Sequence, residues 1–171
     1  PGRRPVETFL VSEALRERLN GCIRRQCSEG HQVNVVCPAV EESEDGVLRS
    51  AEAWAQPLQQ SVFPDLRVGL LHGKLKSAEN DAALAAFSAG ETDILVATTV
   101  VEVGVDVPNA TLMVIENAER FGLSQLHQLR GRVGRGHHKS YSLLVTGNKG
   151  EESNQRHNVM STTSDGFAIA Q

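Results

Sequence analysis

The sequence predicts a three-layer α/β domain, with a mostly parallel sheet of six strands and helices on both faces. Short β-rich runs alternate with helical patterns along the whole chain. The strand candidates are apolar throughout instead of alternating, which is typical of parallel strands buried on both faces. A length of 171 residues suits one domain with a sizeable core.

The strands and helices can be placed in order from local signals. Ser12 and Ser77 occupy cap positions before the first and third helices, and Gly30 and Gly90 end them. Pro57 falls inside the second helix as an irregularity. The predicted strands are 6–11, 32–40, 67–73, 92–99, 111–117 and 141–147, and the predicted helices are 12–28, 48–62, 77–89, one beginning near residue 124, and 151–162.

Composition indicates a water-soluble protein of the cytoplasm. Hydrophobic residues make up 40% and charged residues 22%, and no apolar run approaches the length of a membrane span. No secretory signal is recognisable. The three cysteines show no metal-ligand spacing and are predicted to be free thiols in a reducing compartment. The start without methionine and the apolar end lead us to expect a piece of a longer chain.

The charge distribution indicates a local anion site and not a general polyanion binder. The net charge is −4, but residues 120–150 contain six Lys or Arg and no acid. Residues 41–45 carry four acids in five positions.

The stretch QLRGRVGRG (128–136) carries three arginines and three glycines in nine residues. On a helix, Leu126, Leu129 and Val133 gather on one side, and Gln128, Arg132 and Arg135 gather on the other. Glycines cost a helix about 1 kcal/mol each relative to alanine, so their presence suggests close approach of a partner. Guanidinium forks suit phosphate, although a solvated basic helix end is the simpler alternative.

Further candidates follow the ends of two strands, where ligands bind in parallel sheets. His72 and Gly73 lie at the end of the third strand, and Thr98 and Thr99 close the fourth. Their polar groups suit a nucleic-acid backbone, but a structural turn and plain β-propensity explain them equally simply.

Gly104 and Asp106 lie in a tight turn before Pro108. The Asp106 carboxylate either accepts a hydrogen bond from a ribose hydroxyl or closes an Asx turn.

A phosphate-cradling glycine loop of the form G-x-x-x-x-G-K-[ST] does not occur in the sequence. The chain thus has arginines for a nucleotide but no cradle. This points to half of a composite site whose other half lies on another domain, in the manner of arginine fingers.

Several motifs resemble those of superfamily 2 helicases. ATTVVEVGVDVPNA (97–110) resembles motif V, QLRGRVGRG resembles motif VI, and LLHGKLKSAEND (70–81) resembles the motif that begins the DNA-facing surface. Together with TSDGFAIA (163–170), these runs resemble the RecG family of ATP-dependent DNA helicases, and the resemblance covers residues 5–170.

This resemblance implies a RecA-like fold and a set of functional residues. Residues 1–150 would form the second motor lobe, and residues 151–171 would begin a helical segment that leads to a translocation hairpin motif. It further implies branched DNA as substrate, ATP and Mg²⁺ held mainly by a missing first lobe, a wedge domain on the same polypeptide, and a monomer. The implied catalytic residues are Arg132 and Arg135 with Gln128 beside them; the nucleotide-binding residues are Gly104 and Asp106; and the DNA-binding residues are His72, Gly73, Thr98 and Thr99.

Arg130 receives no role, and the isolated chain is expected to hydrolyse no ATP.

Two other functions remain open from the sequence. One is the equivalent lobe of a transcription–repair coupling factor, which has a similar motif VI. The other is a non-enzymatic binding module with a flavodoxin-like fold.

Overall fold

One sheet of six strands forms the centre of the molecule. The computed structural model describes residues 6–38, 52–71, 78–98, 107, 109–130 and 140–146. Every strand pairing in this part of the chain is parallel, and the strand order is β1–β6–β5–β2–β4–β3. The strands are β1 (Val6–Ser12), β2 (Gln32–Cys37), β3 (Val68–Leu71), β4 (Ile94–Thr98), β5 (Ala110–Ile115) and β6 (Ser140–Thr146).

Within the described residues, four helices lie in the connections between these strands. They are α1 (Arg16–Ser28), α2 (residues 52–57, continuing as a π-helical segment Leu58–Val62), α3 (Ala78–Ser88) and α4 (Leu123–Arg130). The predicted parallel sheet between helical layers is confirmed by this architecture.

The first helix begins one short turn later than predicted. The hydroxyl of Ser12 accepts a hydrogen bond from the N–H of Ala14 at 3.1 Å, so Ser12 caps a 3₁₀ turn, Glu13–Leu15, that precedes α1. Leu19 and Ile23 of α1 are buried, as the apolar spacing predicts. Gly30 follows the helix with a φ of 88°, a left-handed conformation that favours glycine.

Pro57 marks the place where α2 changes its winding. Proline has no backbone N–H to donate, and the helix widens to π spacing directly after it. The N–H of Phe63 then bonds to the carbonyl of Leu58 at 2.7 Å, five residues back. Phe63 is buried and Trp54 packs against the same core, so both are core residues.

The helices divide between the two faces of the sheet. Side chains of α1 and α2 join the largest apolar cluster on one face, whereas α4 and α3 pack into two separate clusters on the other face. The connections through α1 and α2 move along the sheet in one direction, and those through α3 and α4 move back. Opposite directions on opposite faces correspond to a single handedness of connection, the rule for parallel strands.

Strand β4 begins later than predicted, at a place where a side chain forms hydrogen bonds. β4 begins at Ile94 instead of residue 92, because Asp93 is held by Arg67 before β3. The Asp93 carboxylate accepts from the backbone N–H of Arg67 at 2.8 Å and from its guanidinium at 3.1 Å. Burial alone raises the pKa of Asp93, but these hydrogen bonds outweigh burial and hold the pKa below its usual value.

Candidate functional site

All strand carboxyl ends lie at one edge of the sheet, because every described pairing is parallel. At that edge, β2 and β5 are neighbours whose outgoing connections leave on opposite faces: β2 continues into α2 and β5 into α4. Such a reversal creates the crevice in which open α/β sheets bind ligands. The candidate site is therefore centred on the carboxyl ends of β2 and β5.

Thr98 lies at this edge as the last residue of β4, opposite Cys37 at the end of β2. Its side chain is only 1% exposed, and its hydroxyl has no hydrogen-bond partner among the described residues. A buried hydroxyl without a partner is uncommon in folded proteins. Thr98 thus has an unused hydrogen-bonding group at the predicted edge, although it does not lie on an open surface.

Helix α4 has the two faces that its sequence predicts. Leu126 and Leu129 are buried against Ile115 and Phe121, whereas the side chain of Gln128 is exposed. Gln128 therefore lies on the side of the helix that faces away from the core. Arg130 is the last residue of this helix, and the structure describes only its backbone.

The other seven predicted site residues all lie outside the described part of the chain. His72 and Gly73 follow Leu71 at the end of β3, and Thr99 follows Thr98. The residues in question are His72, Gly73, Thr99, Gly104, Asp106, Arg132 and Arg135. Their roles stay predictions.

The segment from β5 to α4 is tightly built. The N–H of Glu116 donates to the carbonyl of Val36 at 2.8 Å, so β5 remains bonded to β2 for one residue beyond its end. Asn117 then adopts φ 47° and ψ 53°, a left-handed turn that asparagine tolerates better than most residues. After a 3₁₀ turn, Ala118–Arg120, the N–H of Gly122 donates to the side-chain oxygen of Gln125 at 2.9 Å and so secures the start of α4.

An ion pair at this edge was missed by the sequence reasoning. Arg16, in the first turn of α1, binds Glu116 through both terminal nitrogens, each 2.6 Å from a carboxylate oxygen. Its other edge binds Glu13, with nitrogen–oxygen distances of 2.8 and 2.7 Å. The Glu116 side chain is 4% exposed and that of Arg16 is 26% exposed. A carboxylate placed directly after a buried strand was the one signal in the sequence that pointed to it.

The environment keeps Arg16 and Glu13 ionised. Burial lowers the pKa of Arg16, but hydrogen bonds with Glu116 and Glu13 outweigh burial and raise it above its ordinary value. Hydrogen bonds from Arg16 lower the pKa of Glu13. Both edges of the guanidinium are thereby occupied, and Arg16 is a poor candidate for binding a ligand anion.

The cysteines have a structural character. Cys22, Cys27 and Cys37 are free thiols. Burial raises the pKa of all three, to about 11 for Cys27, so they stay protonated near neutral pH and are weak nucleophiles.

The described residues show neither a candidate metal cluster nor a membrane-spanning helix. Among them, no three His, Cys, Asp or Glu side chains lie close enough to hold a metal ion. In the same part of the chain, no helix combines the length and apolar character needed to cross a membrane.

Known proteins resemble this chain along its whole length. ATP-dependent DNA helicase RecG of Synechocystis sp. is 55% identical over 171 residues, which is 100% of this chain and 21% of the relative. The RecG of Bacillus subtilis is 45% identical over 99% of this chain and 25% of its own length. The chain therefore spans about a fifth to a quarter of the relatives that it matches.

Solved structures agree with this similarity. A structure of RecG bound to a three-way DNA junction matches with a TM-score of 0.79 and 44% identity, over 99% of this chain and 22% of that one. Domain 2 of a DEAD-box helicase, solved with an RNA duplex, matches with a TM-score of 0.63 over 98% of this chain and 62% of that one. At 16% identity, the second match supports the RecA-like fold alone.

A family-level comparison covers most of the chain. Residues 13–137 match the family described as helicase conserved C-terminal domain. That range includes the carboxyl ends of β2 and β5 and all of helix α4. The chain therefore belongs to the helicase conserved C-terminal domain family, within which it matches the C-terminal lobe of RecG along its whole length.

Proposed function

We propose that this chain is the second motor lobe of an ATP-dependent DNA helicase that remodels branched DNA, such as stalled forks and recombination intermediates, in DNA repair. Residues 1–150 form the lobe, and residues 151–171 begin the segment that leads to a translocation hairpin motif. The lobe acts with a first RecA-like lobe and a wedge domain of the same polypeptide, as a monomer in the cytoplasm. Relatives named ATP-dependent DNA helicase RecG, and a RecG structure with a three-way DNA junction, support this substrate class.

The observation that carries the proposal is the orientation of α4. Leu126 and Leu129 anchor this helix to the sheet, which leaves the face of Gln128 directed away from the core. In the sequence, the helix leads straight into the segment with Arg132 and Arg135. An anchored helix with an outward polar face suits a lobe that presents groups to a nucleotide held by another domain.

In the proposed mechanism, Arg132 and Arg135 act on the γ-phosphate of ATP, with Gln128 beside them. ATP and Mg²⁺ are bound mainly by the first lobe. Guanidiniums stabilise the negative charge that develops during phosphoryl transfer, a contribution worth about 10³–10⁵ in rate in known arginine fingers.

The DNA-facing part of the proposal uses the ends of β3 and β4. His72, Gly73, Thr98 and Thr99 contact the DNA backbone, where hydroxyl and backbone N–H groups suit phosphate oxygens. Gly104 and Asp106 couple the nucleotide to the DNA, with Asp106 near the ribose. Thr98 is the one of these residues that the structure describes, and its hydroxyl is buried, so its contact with DNA stays a prediction.

The test uses the full-length protein that contains this lobe. Arg135→Ala is expected to abolish DNA-stimulated ATP hydrolysis while nucleotide affinity changes less than about tenfold, because a finger acts mostly in the transition state. Arg25→Ala, an exposed arginine at the far end of α1, is the matched control and is expected to keep normal turnover. An equal loss of binding and turnover would make Arg135 a ground-state ligand instead.

A second test uses the isolated chain of 171 residues. It is expected to hydrolyse no ATP, with or without DNA, and to bind DNA weakly and less at higher salt. DNA-stimulated turnover by the isolated chain would refute the composite site. The relatives reported above favour RecG over the transcription–repair coupling factor, and the helicase family match disfavours a flavodoxin-like binding module.

A further inference from the structure

We infer that the Arg16–Glu116 ion pair is a positioning element that fixes the start of the α4 segment and, through it, the arginines that follow. The inference rests on the proposed function, since it assigns these two residues to the support of the same site. Neither residue contacts the nucleotide in this scheme. Both act through α4.

Glu116 lies where the chain leaves strand β5. It is the last residue of the β5 segment that bonds to β2, through its N–H to Val36. Its carboxylate is held at the same time by both terminal nitrogens of Arg16. The backbone turns left-handed at Asn117, directly after this double anchor. Glu116 is thus the fixed point from which the chain leaves the crevice toward α4.

The link from Glu116 to α4 is short and packs against the helix. Only residues 117–122 lie between them. Ala118 and Phe121 of this link are buried against Leu126 and Leu129 of the helix. A displacement at Glu116 is therefore passed on to α4 and is not absorbed by a loose loop.

The ion pair links helix α1 to the segment that leads to α4. Arg16 belongs to α1, on one face of the sheet, and α4 lies on the other face. Strand β6 separates β1, which leads to α1, from β5. The guanidinium therefore connects the first turn of α1 to the residue from which the chain leaves the sheet toward α4.

The guanidinium of Arg16 is engaged by two carboxylates of the protein itself. Its two hydrogen-bonding edges are both occupied, one by Glu116 and one by Glu13. Two bidentate contacts fix the orientation of the guanidinium plane, which a single point contact does not do. Because both hydrogen-bonding edges of the guanidinium are occupied, a positioning role for Arg16 is favoured over direct binding of a phosphate.

The expected effect is on the rate and not on substrate binding. A misplacement of about 1 Å in a catalytic group can cost about 10²-fold in rate. Ground-state affinity for ATP depends mainly on the first lobe in the proposed function. Loosening the ion pair is therefore expected to lower kcat by at least about tenfold and to change KM for ATP by less than about threefold.

The experiment compares four variants of the full-length protein: Glu116→Gln, Arg16→Lys, Arg135→Ala and Arg24→Gln. Glu116→Gln keeps the shape of the side chain and removes its charge, and Arg16→Lys keeps the charge and removes the forks. Arg24→Gln removes another guanidinium from α1 whose partner, Asp65, is exposed. DNA-stimulated ATP hydrolysis gives kcat and KM, and thermal melting shows which variants are folded.

The inference is supported if Glu116→Gln and Arg16→Lys lower kcat selectively at a temperature well below their melting points, while Arg24→Gln matches the unaltered protein. It is overturned if both variants keep normal kcat and only melt earlier, or if KM rises in proportion to any loss in kcat/KM. Should Glu116→Gln not fold, Arg16→Lys is judged alone by the same criteria. Normal turnover in Arg135→Ala would overturn the proposed function and, with it, this inference.

Discussion

The two faces of α4 allow a sharp test in which stability and activity separate. Leu126 and Leu123 are three residues apart on the same helix, but Leu126 is 0% exposed and Leu123 is 37% exposed. Gln128 lies on the exposed side. The same leucine-to-alanine change at the two positions thus isolates the contribution of burial.

The size of the effect follows from the surroundings of Leu126. Its cluster includes Ile115 of β5 and Leu144 of β6, which belong to the sheet and cannot move in to fill a cavity. Buried Leu→Ala changes lower the free energy of unfolding by about 2–5 kcal/mol. Because the neighbouring sheet residues leave the cavity open, we expect the loss for Leu126→Ala to lie in the upper half of that range. In a domain of this size, about 2–4 °C of melting temperature corresponds to 1 kcal/mol, so we expect a loss of roughly 7–20 °C.

Chemical and thermal unfolding of the 171-residue chain measures this difference. Leu123→Ala is expected to cost less than about 1 kcal/mol, because an exposed leucine leaves no cavity, and Gln128→Ala is expected to be neutral within about 0.5 kcal/mol. In the full-length protein, Gln128→Ala is expected to lower ATP turnover without lowering stability. Equal destabilisation by Leu126→Ala and Leu123→Ala would refute the orientation of α4 on which the proposed function depends.

Five other substitutions test three separate parts of the structure. Arg16→Gln is expected to lower the free energy of unfolding by about 3 kcal/mol and Glu116→Gln by about 1 kcal/mol, because only the first leaves a buried charge unpaired; equal losses in urea titrations would contradict this. Asp93→Asn is expected to destabilise at neutral pH. Because the folded pKa of Asp93 lies below its unfolded value, the difference is present above about pH 3.9 and disappears as the pH falls through the folded pKa, which unfolding at a series of pH values measures. Gly90→Ala, at a φ of 82°, is expected to destabilise, whereas Gly21→Ala, inside α1 with open space around it, is expected to stabilise by about 0.5–1 kcal/mol; melting temperatures that shift in the same direction would contradict the assigned backbone.

Local patterns were sufficient to predict the elements of the fold. The run that forms β4 is apolar at nearly every position, and it was placed within two residues of its observed start. The leucine spacing of α4 predicted which side of the helix is buried, because a period of 3.6 residues fixes the face. Pro57 was recognised as an irregularity, but its consequence, a change to π winding, depends on how the helix packs.

Long-range arrangement was beyond the sequence. The order β1–β6–β5–β2–β4–β3 depends on which strands meet across the sheet, and no local spacing encodes that. The Arg16–Glu116 pair was missed for the same reason, since 100 residues separate its members. The burial of Thr98 was missed as well, because a threonine at the end of a strand has the same sequence signature whether its hydroxyl is covered or open.

The position of the ion pair bears on why a charged contact occurs at the crevice. A half-buried guanidinium and a buried carboxylate lose part of their solvation, so such a pair contributes little net stability compared with apolar side chains of similar volume. An apolar contact, however, fixes distance without fixing orientation. The two forks of Arg16 fix both, and they do so where β5 leaves the sheet for α4. Because α4 has only two buried leucines in its eight residues, its direction depends strongly on the point at which the chain leaves the sheet. Orientation at Glu116 is therefore the property that the ion pair supplies, and it is the property that the proposed presentation of arginines to another domain would need.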